Sequence, residues 1–230
     1  MERILKLEGY DLLSQKVYRT LKTEIVKGFL EPGTKLLENK IAEEMQVSRT
    51  PVREAMQKLV AEGLVKTTPN QTMVVTEVSP EDIKEVLQIR GVLEGLAARI
   101  TAKKINRQEI DELEKVVAQM SLYIADKNLL AYCKVDDEFH DFILNICGNK
   151  WIIKIRENLG NFVYRFRVKS LSVSGRLRHS LEEHQKIMES LKKHNSEEAD
   201  RLSQIHMENT LINIFKNVIK KENKNETARN

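Results

Sequence analysis

The run Val47-Ser-Arg-Thr-Pro-Val-Arg-Glu-Ala-Met56 constrains this chain more than any other stretch. Thr50 is placed to cap a helix, its hydroxyl taking a backbone N–H that a helix start leaves orphaned. Pro51 then falls at the first helical position, where its missing donor costs nothing. Apolar residues recur at Val52, Ala55, Met56, Leu59 and Val60, a helical stripe that must face a core. The opposite face carries Arg49, Arg53, Gln57 and Lys58. Long cationic and amide side chains at a helix start suit the major groove of DNA, because Arg and Gln match base edges and phosphates.

The flanking residues extend this to a winged helix-turn-helix. Leu37 to Met45 reads as a short helix with Ile41, Ala42 and Met45 inward, and Gln46-Val47-Ser48 is a tight connection. Glu62-Gly63 stops the second helix. Leu64–Thr68 and Thr72–Thr76 then read as two β-branched strands around Pro69-Asn70-Gln71, the wing. Upstream, Leu13, Val17, Leu21 and Ile25 recur every fourth residue and give a packing helix, ended by Gly28 and Pro32-Gly33.

Bulk charge does not carry the nucleic-acid reading. Residues 1–78 hold twelve Lys/Arg against eleven Asp/Glu, a balance of +1, and the whole chain only +4. The local placement of Arg49, Arg53 and Lys58 carries it instead. The first residues are charged throughout, unlike a signal peptide, and no apolar run approaches a membrane span. Cys133 and Cys147 lack CxxC spacing and read as reduced, buried small residues. A cytoplasmic protein is expected.

The remainder reads as all-α. Ser79-Pro80-Glu81-Asp82 is a helix start, and no Pro follows it. Helical periodicity runs to about residue 220, broken at Ile105-Asn106, Asp126-Lys127-Asn128, Gly148-Asn149, about Ser170 to Gly175, and Asn195-Ser196. That gives roughly six helices, an antiparallel helical bundle in its simplest form. The expected organisation is a DNA-binding domain over 1–78, a helical domain over 79–222 and a polar, disordered tail over 223–230.

Four residues of the bundle form the pattern of one metal site. Asp136 and His140 stand at i,i+4 on one helix face, a chelating pair. His184 lies eleven residues before Asn195 and His206 eleven after it. In an antiparallel helix pair, residues equidistant from the turn lie side by side. Three His and one Asp suit a divalent transition metal, Zn most simply, with Ni or Mn open. Taken singly, the Asp-x-x-x-His pair is also the pattern of a surface salt bridge, and a histidine on an apolar face that of a core residue.

Glu31-Pro-Gly-Thr-Lys-Leu, Ile41-Ala-Glu-Glu-Met, Val47-Ser-Arg-Thr-Pro-Val-Arg-Glu-Ala and Leu59-Val-Ala-Glu-Gly-Leu-Val resemble the N-terminal domain of GntR-family bacterial transcription regulators. The resemblance implies that Arg49, Thr50 and Arg53 contact DNA. Asn39, Gln57 and the wing-tip residues Asn70 and Gln71 complete the expected DNA-facing set. The chain departs from the family at Asn39, where many members carry Arg, and at Gln71-Thr72, where Arg and Gly are usual. Residues 79–220 resemble the FCD ligand-binding domain of one GntR branch, through Ile89-Arg-Gly-Val-Leu-Glu94, Asp136-Asp-Glu-Phe-His140, Glu183-His184 and His206. That resemblance implies metal binding by Asp136, His140, His184 and His206, and a small organic acid as effector. Arg90, where an apolar residue was expected, and Arg165 are the effector-binding candidates; Glu94, four residues on, is the simpler partner for Arg90.

These readings converge on a ligand-switched repressor that binds an inverted-repeat DNA operator as a homodimer and is not an enzyme. Two alternatives stand beside it: the same regulator with a purely structural metal, and a metal-dependent hydrolase with an accessory winged helix.

Overall fold

The computed structural model describes residues 13–219, apart from the side chains of residues 157, 161–165, 218 and 219. The tail expected at 223–230 lies outside the described residues. The chain divides into two compact units between Val78 and Ser79.

The first unit begins with α1 (Leu13–Val26), followed by β1 (Lys35–Leu36), α2 (Glu38–Glu44), α3 (Arg49–Ala61), β2 (Val65–Thr67) and β3 (Met73–Val75). Its core is built from Val17, Leu21 and Ile25 of α1, Ile41 and Ala42 of α2, and Val52, Ala55, Met56 and Leu59 of α3. The apolar stripes therefore meet as their spacing requires. Leu13 is an exception, lying half exposed. Tyr18 and Lys22 of α1 hydrogen-bond Glu62, which fixes the end of α3 against α1.

Two features of this unit differ from expectation. The N-cap of α3 is Ser48, with φ −71° and ψ 165°, and not Thr50, which sits inside the first turn. The cap comes without a side-chain hydrogen bond, and Pro51 stands third in the helix and not first, still within the opening turn whose backbone N–H groups have no helical partner. The sheet has three antiparallel strands in the order β1-β3-β2, with Lys35 opposite Val74 and Lys66 opposite Val74 on the other edge. A two-residue strand leaves no periodicity to read, so β1 was invisible in the sequence. At the wing tip Gln71 takes φ 54°, the left-handed conformation that usually falls to Gly.

The second unit comprises α4 (Pro80–Ala102), α5 (Arg107–Ala125), α6 (Leu129–Cys147), α7 (Lys150–Leu171), α8 (Arg176–Lys192) and α9 (Ser196–Ile214), with a π-helical turn over Phe215–Ile219. Ser79 caps α4 in a reciprocal pair with Asp82. Asn106, Asn128, Asn149 and Asn195 each accept backbone N–H groups at the starts of α5, α6, α7 and α9. Every break but the one before α8 thus carries its own capping side chain; there the N-cap is Gly175, in the left-handed conformation and without a side-chain bond. Helix α4 is central, packing most extensively on α9 and also on α6, α7 and α8. Phe139, Tyr132, Met120, Leu113 and Ile187 are fully buried in the core between them. Cys133 and Cys147 are buried free thiols. Among the described residues no helix is long and apolar enough to cross a membrane.

Candidate metal centre and nucleic-acid interface

His140 sits on α6, His184 on α8 and His206 on α9, and all three are buried. Their rings converge, with centroids 4.6 Å apart for His184 and His206 and 5.3 Å for each of the other pairs. The turn between α8 and α9 brings His184 and His206 level. Asp136 lies one turn before His140 on α6, with Oδ1 3.5 Å from His184 Nε2.

The ring nitrogens are sorted by their partners. His140 Nδ1 is 3.2 Å from Glu94 Oε2, and His206 Nδ1 is 2.6 Å from Glu183 Oε2. Those carboxylates accept, so each Nδ1 carries the proton and each Nε2 keeps its lone pair. The Nε2 atoms of His140 and His184 are 3.4 Å apart. Two nitrogens bound tetrahedrally at about 2.0–2.1 Å from Zn stand roughly 3.3–3.4 Å apart, so the spacing fits a metal. Burial lowers the pKa of His184 and of His206, reinforced for both by the neighbouring imidazoles, although the Glu183 bond opposes the fall at His206. Neutral imidazole is the form a metal binds.

The carboxylates behind the histidines are held in turn. Glu94 accepts from Arg90 at 2.8 Å and from Arg156 at 3.4 Å. Burial alone would raise its pKa, but His140, Arg90 and Arg156 hold it well below the usual carboxylate range. Burial likewise opposes ionisation of Glu183, yet hydrogen bonds from His206 and Arg176 carry it down to about 2. Arg167 bonds Asp137 at 2.7 Å and reaches Asp136 Oδ2 at 3.7 Å.

A cavity of about 20 Å³ opens beside the histidines, lined by Arg90, Asp136, Arg167, Arg176 and Thr210 among others. Arg90 is paired with Glu94, the simpler of its two expected partners, and also faces the cavity. The Nε atoms of Arg90 and Arg176 are buried without hydrogen-bond partners among the described residues. The side chain of Arg165 lies outside the described residues, and Arg178 is exposed.

In the first unit, Arg49, Thr50, Arg53 and Gln57 stand exposed on one side of α3, while Val52, Ala55, Met56 and Leu59 are buried on the other. Asn39 on α2 and Asn70 and Gln71 at the wing tip are exposed as well. Glu38 pairs with Arg53 and Arg49. The Arg53 hydrogen bond, against a small desolvation cost, lowers the Glu38 pKa.

Known proteins share the two domains. The description "Bacterial regulatory proteins, gntR family" matches residues 13–75, and the FCD domain matches residues 85–209. The HTH-type transcriptional repressor RspR of Escherichia coli is 30% identical over 196 residues, covering 85% of this chain and 86% of that protein. The chain belongs to the GntR family. The gluconate operon transcriptional repressor of Bacillus licheniformis is 30% identical over 173 residues, 74% of this chain and 68% of that protein. The solved structure of E. coli McbR/YncC superposes with a TM-score of 0.75 at 22% identity, over 90% of this chain and 98% of that one, a likeness of fold.

This GntR-family chain is therefore a DNA-binding transcription regulator with an FCD domain, and the hydrolase alternative falls away because its relatives are regulators. Sequence reasoning missed Arg156 and Arg176 and the carboxylates Glu94 and Glu183 as partners of the histidines. Glu183 stands beside His184 in sequence but about 100° around α8 from it, so it faces His206 of α9 instead.

Proposed function

We propose that this regulator is a repressor that binds an inverted-repeat operator as a dimer and senses a small organic acid at a divalent-metal centre. The metal would be held by His140, His184, His206 and Asp136, with Zn the simplest choice. The observation that carries the reading is the sorting of the imidazoles: carboxylates pin two Nδ1 atoms and turn the Nε2 lone pairs toward one point. A metal there supplies coordination positions for a carboxylate. Arg90 and Arg176 present cavity-side cations for the rest of an anion. The names of the RspR and gluconate operon repressors support repression, and gluconate is a sugar acid.

In the first unit, Arg49, Thr50, Arg53 and Gln57 would enter the major groove, with Asn39, Asn70 and Gln71 at its margins. A two-fold dimer would read the two half-sites of a palindrome. Effector binding lowers operator affinity to the extent that it favours one of two arrangements of the recognition helices.

One observation favours a second reading, a purely structural metal. The cavity of about 20 Å³ has room for an ion or about one water and not for an organic acid. Elemental analysis of the purified protein, followed by thermal shifts against small carboxylic acids with and without chelator, separates the two. Bound metal with a chelator-sensitive shift for one acid supports the sensor. A large stability loss on chelation, with no acid response, supports the structural metal. Absence of metal removes both.

A further inference from the structure

Glu38 is the first residue of α2, and its carboxylate turns away from its own helix onto two cations of α3. Arg53 donates from Nε to Oε1 at 3.1 Å and from Nη2 to Oε2 at 3.0 Å, a two-point fork. Arg49 Nη2 stands 3.5 Å from the same Oε2. Both arginine side chains are more than half exposed, while that of Glu38 is 22% exposed beneath them.

Two simpler roles leave this geometry unexplained. A carboxylate in the first turn complements the positive end of a helix, but that needs no contact fifteen residues further on. Exposed ion pairs add little stability, so fold stability is a weak reason for placing an anion in a surface meant for phosphates. A negative charge there weakens attraction to every duplex alike. A penalty shared by all duplexes, overcome only by correctly placed base contacts, is how specificity is built.

We propose that Glu38 is a positioning residue for DNA recognition: it fixes the plane of Arg53 and compensates the charge of Arg53 and Arg49, so that the protein discriminates between duplex sequences. The fork engages Nε and Nη2 of Arg53 and sets the direction of the rest of the guanidinium, which bidentate reading of a base requires. Without the carboxylate, two flexible cations settle on phosphates of any sequence. The inference rests on α3 being the helix that meets DNA.

The test uses the full chain. Duplexes are first selected from a random-sequence library with the wild-type protein. The best duplex and a scrambled version of it then serve as probes in fluorescence anisotropy over a range of salt. Glu38→Gln, Glu38→Asp and Arg53→Ala are compared with wild type, and thermal unfolding checks that each variant folds. Glu38→Gln should bind the scrambled duplex several-fold more tightly and the best duplex no more tightly, so that the preference falls about tenfold. Its salt dependence should steepen by about one phosphate contact. Glu38→Asp keeps the charge but shortens the reach; it should lose preference without gaining affinity for the scrambled duplex. An unchanged preference in Glu38→Gln overturns the proposal. So does a preference altered at a single base pair, which would make Glu38 itself a base contact. Arg53→Ala separates the two levels: wild-type affinity in that variant, or no preference in the wild type, refutes the reading of α3 and not Glu38 alone.

Discussion

His206 donates from Nδ1 to the carboxylate of Glu183 at 2.6 Å, across the packed faces of α9 and α8. Arg176 and Asn209 hold the same carboxylate from other sides. The imidazole thus has one orientation and one tautomer before any metal arrives. Removing such a partner typically weakens a metal site by about 10–100-fold. Glu183→Gln should therefore lower metal affinity by that factor, read by competition with a chromophoric chelator. Unchanged affinity would show that packing alone sets the ring.

His184→Ala combined with His206→Ala removes two of the three converging nitrogens. Metal content measured on the purified double variant should drop to background. Full occupancy would move the binding site elsewhere in the chain.

The parts legible in the sequence were those encoded locally. Each helix start of the second unit except that of α8 carries Ser or Asn, and a capping residue bonds donors two or three positions away. Asp136 and His140 are one helical turn apart and so share a face wherever α6 packs. The level placement of His184 and His206 needed only one turn between them. The supporting shell was not legible because its partners come from distant elements: Glu94 meets His140 from 46 residues away and Arg156 from 62. Nothing in the spacing of Glu94 distinguishes it from an ordinary partner of Arg90. The three-stranded sheet failed for another reason, since β1 is too short to show alternation.

Gly95 explains how closely α4 and α9 approach. A Cβ there would stand 2.3 Å from Asp200 Oδ1 and 3.1 Å from the Asp200 backbone oxygen. Asp200 is held by Gln204 at 2.6 Å, so its carboxylate cannot simply swing away. Overpacking costs about 1–3 kcal/mol, against a helix-propensity gain of about 1 kcal/mol for Gly to Ala. Gly95→Ala should lower the thermal midpoint. Gly91 on the same helix meets only Met207 Cβ at 3.5 Å, an ordinary contact, so Gly91→Ala should hold or raise it. Equal midpoints for the two variants would contradict this account of the α4–α9 contact.

Acid should act on the second unit in two steps. His184 and His206 both have pKa values lowered from 6.5 by burial, with the neighbouring imidazoles adding to the effect. The unfolded chain therefore takes up protons first as pH falls through 6.5, and stability declines from there toward the lower folded values. Glu183 has the same sign at lower pH. Its ionised form is favoured in the fold, so its contribution is complete above 4.5 and lost as pH falls toward about 2. Thermal midpoints of chelator-treated protein should thus be level above about pH 7 and fall below about 6.5. With Zn added, the decline should begin at lower pH, because metal and protons compete for the same Nε2 atoms. A flat profile from about pH 7.5 to 5 in chelator would mean that the imidazoles are not buried neutral groups, since their depressed pKa values require a slope in that window.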